Sequence, residues 1–113
     1  MRTVNNLQAE IREVYSTIEN GKDLKPSEFK KLRKRFTWLR TCVMYLETLP
    51  NETSLRRQIE VVESKINLRM LAQPEIPDNI TRPQVTKMKR EYEKSSGVTL
   101  LREQARTLRY LLK

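Results

Sequence analysis

Residues 26–50, Pro-Ser-Glu-Phe-Lys-Lys-Leu-Arg-Lys-Arg-Phe-Thr-Trp-Leu-Arg-Thr-Cys-Val-Met-Tyr-Leu-Glu-Thr-Leu-Pro, decide how the rest of the chain is read. Phe29, Leu32, Phe36, Leu39, Val43 and Leu46 recur at alternating spacings of three and four, which places them on one stripe of an α-helix. Pro26 is tolerated in a first turn and Glu28 is favoured there by the helix dipole. Pro50 ends the helix, because proline cannot continue the hydrogen-bond ladder and restrains the residue before it. From Thr37 onward a second apolar stripe runs through Trp38, Cys42, Tyr45 and Leu49. This half of the helix must therefore bury two faces, which makes it the central element of the core.

The flanking segments repeat the pattern. On the N-terminal side Val4, Leu7, Ile11, Val14 and Ile18 form a heptad seam. It is expected to close at Asn20-Gly21 with glycine in the left-handed conformation, and Lys22 to Lys25 connect it to the next helix. On the C-terminal side Asn51 or Thr53 can cap a helix carrying Leu55, Ile59, Val62 and Ile66, widened by Val61, Leu68, Met70 and Leu71. Three antiparallel helices with short loops follow, packed seam to seam over residues 1–73.

Residues 74–83, with three of the five prolines, cannot be regular helix and read as a stiff connector. Beyond them Thr81 and Gln84 have the form of a capping box for a helix marked by Val85, Met88 and Tyr92. Ser95-Ser96-Gly97 turns the chain. Thr99 is the expected cap of a last helix with Leu101, Ala105, Leu108 and Leu112 on one stripe, broadened by Leu100 and Leu111. The fold expected is thus all-α: a three-helix antiparallel bundle, a Pro-rich connector and a C-terminal helical hairpin over residues 84–113. The hairpin, about 30 residues long, is too small to fold alone and must dock on the bundle or on another subunit. No useful run alternates with period two, so no strand is expected.

Composition narrows the function. In 113 residues there are 23 Lys and Arg against 14 Asp and Glu and no His, a net charge of +9 that hardly changes across physiological pH. Without His the commonest general base is missing, and the chain holds only two Asp, two Gly and one Cys. No phosphate-cradling glycine loop or nucleophile constellation can be assembled from that set, so no enzyme activity, small-molecule substrate, cofactor or metal site is expected. Glu10, Glu13, Glu60 and Glu63 sit at helical spacing but lack the Glu-x-x-His partners of a metal-carboxylate bundle, and read as surface partners of Arg and Lys. A single cysteine permits no internal disulfide. With no apolar leader segment and no run of 18 apolar residues, an intracellular, reducing location and no membrane contact are expected.

The positive charge is uneven. Residues 22–50 carry +5 and residues 84–113 another +5, while the remainder sums to −1. Lys30, Lys31, Arg33, Lys34 and Arg35 crowd the first turns of the second helix between its seam residues. Lys87, Arg90 and Lys94 share a stripe of the fourth helix, and Arg102, Arg106, Arg109 and Lys113 form another on the fifth. All of these except Lys113 are the candidate anion-binding residues. Such arrays suit a phosphate backbone, where each neutralised phosphate releases counterions without base-specific geometry. Nucleic acid is accordingly the first partner expected of a small accessory or regulatory binding protein. The regular heptads admit a second role, assembly into homo-oligomers or onto a larger complex through helix faces. An acidic protein surface, bound as an inhibitor or adaptor would bind it, is the third. Trp38 and Tyr45 read as core, Cys42 as a buried small hydrophobe, and Tyr92 and Tyr110 are left open.

Overall fold

The computed structural model describes residues 1–21 and 23–113; of the connection expected at Lys22 to Lys25, Lys22 lies outside the described residues. Helix occupies 79% of the chain, and there is no strand among the described residues. The five helices there are α1 (Val4–Asn20), α2 (Pro26–Thr48), α3 (Glu52–Leu71), α4 (Arg82–Ser95) and α5 (Val98–Leu112). The all-helical expectation is borne out, and the ends of the helices follow local chemistry. Thr3 caps α1 by accepting from the Asn6 N–H at 3.2 Å. At α3 it is Asn51 rather than Thr53 that caps: its Oδ1 accepts from Ser54 N–H at 2.8 Å, and Ser54 Oγ accepts from Asn51 N–H at 3.3 Å. Gln84 reaches back to the Thr81 N–H at 3.1 Å at the start of α4.

Two termini differ from the expectation, both at glycine. Gly21 has φ −88°, outside the left-handed region. What it supplies is room, since a Cβ there would meet the Leu24 side chain at 2.2 Å and the Thr17 carbonyl oxygen at 2.8 Å. Gly97 is the left-handed residue, with φ 82°, and it rather than Thr99 stands at the N-cap of α5. The turn between α4 and α5 is only two residues, so the chain must reverse direction at once, and a positive φ does so without a Cβ clash. Gly97→Ala is expected to destabilise the fold by about 1–2 kcal/mol, because the added methyl also meets Arg69 Nη1 at 2.7 Å. The midpoint of chemical denaturation measures this.

The packing departs from a simple three-helix order. α1 packs on α2 along the expected seam, but α3 packs on α5, and α5 also touches α2. The last helix therefore lies against both α2 and α3, burying Leu101, Ala105, Leu108 and Leu111 in the same core as Leu7, Val14, Leu39, Cys42, Leu46, Leu55, Ile59 and Val62. The reason is amphipathicity: α5 carries the most continuous apolar stripe of the chain, and a helix with such a face must cover it. α4 has no buried residue of its own and leans on α5. Side chains clamp it in place. The Tyr92 hydroxyl donates to the Arg69 carbonyl, Arg69 Nη1 donates to the Ser96 carbonyl at 2.8 Å, and Arg102 pairs with Glu93 at 2.8 Å. At the other end, the Arg2 N–H donates to the Leu111 carbonyl at 2.8 Å and so ties the start of the chain to its end.

The result is a plate of helices measuring 55 × 40 × 18 Å. Its radius of gyration is 18.3 Å, against about 13 Å for a compact domain of this length. The first half of α2 is left partly uncovered: the seam residues Leu32 and Phe36 are half-buried and Phe29, expected in the seam, is 40% exposed. Val61, Leu68 and Leu71 likewise stay exposed instead of widening the core. Cys42 is fully buried, and its thiol is pushed up to about 11, first by loss of water and then by the Glu10 carboxylate. Its thiolate fraction near neutral pH is then on the order of one in a thousand or less. The folded chain should react with a water-soluble thiol reagent orders of magnitude more slowly than the chain in denaturant, as absorbance kinetics would show.

Candidate functional site

The basic residues of α2 divide by helical geometry. Lys30, Arg33, Lys34 and Thr37 recur at spacings of three, one and three, which keeps them on one side of the helix. Together with Phe29 and Trp38 they line a shallow groove of about 530 Å³. The Arg33 guanidinium lies over the Phe29 ring, 5.8 Å from its centroid, which holds both side chains on the rim. Arg35 points elsewhere and pairs with Glu10 of α1 at 3.2 Å. Lys31 is exposed but does not line the groove.

On α5 the stripe Arg102, Arg106, Arg109 and Lys113 lines a second, larger groove of about 730 Å³, closed on its other sides by Trp38 of α2 and by Glu63 and Ile66 of α3. Two of these arginines already have carboxylate partners: Arg102 has Glu93 of α4 and Arg109 has Glu63 of α3. Among the described residues Arg106, Lys30, Arg33 and Lys34 form no salt bridge. Exposed pairs of the first kind contribute little to stability, about 0–1 kcal/mol each, but they fix where the guanidinium groups stand.

Trp38 joins the two grooves, since it lines both. Its indole N–H donates to Thr107 Oγ1 at 3.0 Å, and its ring packs on Tyr110 with centroids 4.6 Å apart. Tyr110 in turn carries the Arg2 guanidinium over its ring, 4.4 Å from the centroid. Helical spacing alone places Trp38 in the core. It is half-buried and does pack on the core, but it also lines two cationic hollows. Nothing in the periodicity could reveal this, because the Thr107 hydroxyl that orients the indole lies 69 residues away on α5.

Compared with protein-family models, curated proteins and solved structures, the chain matches none. The α5 groove holds four cations against one carboxylate, leaving +3; the α2 groove adds three cations, for +6 in two grooves that share Trp38. Clustered charge of one sign in a concave surface focuses the field and concentrates anions. Lys87, Arg90 and Lys94 are exposed on α4 and line neither groove. Of the eleven candidate side chains, Lys30, Arg33, Lys34, Arg102, Arg106 and Arg109 are brought together; Lys31, Arg35 and the α4 trio are not. Lys113 and the rings of Phe29 and Trp38 join the set. Among the described residues no group of three or more Cys, Asp or Glu side chains is placed to hold a metal ion, and no helix there is long and apolar enough to cross a membrane.

Proposed function

We propose that this chain is a small non-enzymatic accessory or regulatory protein that binds nucleic acid by its phosphate backbone, along the cationic face made by α2 and α5. The observation that carries the reading is the sharing of Trp38 by two basic grooves, which turns two separate sequence clusters into one track. In this reading the C-terminal hairpin, reached through the Pro-rich connector, supplies one half of the track, and α2 of the preceding helical unit supplies the other. Arginine suits the α5 half, because its planar fork meets phosphate oxygens in pairs. Lysines at the α2 half act as point charges. Sequence specificity is expected to be low, since phosphate contacts position without reading bases. A reducing, intracellular setting suits a partner of this kind.

The test is titration of the purified chain with duplex DNA, single-stranded DNA and RNA at several salt concentrations. Six engaged cations would give a slope of about −5 in log affinity against log salt. Because Trp38 is the only tryptophan, its fluorescence reports the site directly and should change with the same midpoint. A flat salt response, or binding without any change at Trp38, would count against the reading. Binding that survives nuclease and needs a protein would favour the alternative of an acidic protein surface as the occupant of the same face.

A further inference from the structure

The plate exposes more surface than its mass requires. Its accessible area is 8807 Å², whereas a compact monomer of 13.5 kDa exposes about 6,500 Å². The difference, about 2,300 Å², is well above the roughly 800 Å² per partner that a stable dimer buries. Part of that excess is apolar and lies beyond the basic grooves, where the outer side of α2 continues past Trp38. There Thr41, Met44, Tyr45, Thr48 and Leu49 form one hollow with Gln58 of α3, and a neighbouring hollow that shares Leu49 and Gln58 extends to Val61. Met44 is 67% exposed and Val61 46%. Of the side chains lining the two hollows, Arg57 alone is charged.

We propose that this face, which carries a single charged lining residue and is formed by the second half of α2 and the first half of α3, binds a second copy of the chain in a two-fold dimer. Charge selects the occupant. An acidic partner would be drawn to the grooves, with their seven cations, rather than to a face lined by one. A copy of a chain carrying +9 approaches most readily where its own positive charge is sparsest. A two-fold axis near Met44 lays the two α2 segments antiparallel and sends their basic first halves in opposite directions. Lys34 is ten residues from Met44, about 15 Å along the helix, so the two basic stretches begin about 30 Å apart. That exceeds three screening lengths at about 0.15 M salt. Self-pairing of one patch is also the commonest closed symmetry among soluble oligomers. The two basic tracks then lie on one particle and can engage a long polyanion together.

Sedimentation of the full chain across the micromolar range tests the proposal independently of nucleic-acid binding. The expected mass is twice the 13.5 kDa of the chain. Met44→Lys places like charges across the axis and should return the protein to the single-chain mass with its helical circular dichroism unchanged. Leu100→Lys, at an exposed apolar position of α5, should leave the dimer intact. If Met44→Lys loses helicity, Val61→Lys carries the same test from α3. A wild-type chain that stays monomeric throughout, or a dimer indifferent to both substitutions, overturns the assignment, the latter by moving the contact to another surface.

Discussion

Replacing Lys30, Arg33 and Lys34 together by alanine is expected to lower nucleic-acid affinity by two to three orders of magnitude at about 0.1 M salt, and to reduce the salt slope by about three. The magnitude follows from counterion release, since each cation that no longer neutralises a phosphate takes close to one power of the salt concentration out of the binding constant. The three side chains are exposed and form no salt bridge among the described residues, so unfolding should not contribute. The informative control is the triple replacement of Lys87, Arg90 and Lys94, which removes the same charge from α4, outside either groove. It is expected to cost no more than roughly one order of magnitude, through the weakened overall field. Equal losses from the two triples would mean that net charge governs binding and that the track along α2 and α5 has no special part. Within α5, Arg106→Ala should weaken binding with little effect on stability, because Arg102 and Arg109, unlike Arg106, also hold carboxylates of α4 and α3.

Leu108→Ala should destabilise the protein by about 3 kcal/mol or more, lowering the thermal midpoint by roughly 10 °C or more for a domain of this size. Leu108 is fully buried on the one helix that packs on both α2 and α3, so the cavity opens at the junction of the plate. With total stability of a small domain at about 5–15 kcal/mol, that loss is a large share of the whole. Leu100→Ala on the same helix, 60% exposed, should change stability by no more than about 0.5 kcal/mol. Denaturant titration of both variants separates the two roles. A Leu108→Ala variant as stable as the parent would mean that α5 is an appendage and that α1, α2 and α3 hold together without it.

How far the helices are legible in the sequence, and where that legibility stops, can be seen at particular residues. Three- and four-residue spacing identifies the buried stripes of α1, α3 and α5 because each is a local consequence of 3.6 residues per turn. Leu7, Val14, Leu55, Ile59, Val62, Leu101 and Leu108 are all buried as that spacing implies. The same rule fails at Phe29, since periodicity says which side of a helix is apolar but not whether a second helix is there to cover it. α3 and α5 are not consecutive in the chain, so their pairing depends on which apolar faces fit best across that separation. The glycines show the same limit on a smaller scale. Both stand at a helix end, yet only Gly97 needs a positive φ, because only there must the chain reverse within two residues.

Charge and side-chain type along the chain thus determined on their own that this protein is helical, strongly basic and poor in the groups that perform acid-base or nucleophilic chemistry. These are properties of composition and of nearest neighbours along a helix. Long-range packing alone sets Lys30, Arg33 and Lys34 in a groove that shares Trp38 with the groove of Arg102, Arg106 and Arg109, and leaves Arg35 and the α4 cations out of both. It does so through one long-range arrangement: α5 packs between α2 and α3, Thr107 and Tyr110 hold Trp38 from across that junction, and two grooves meet at its ring.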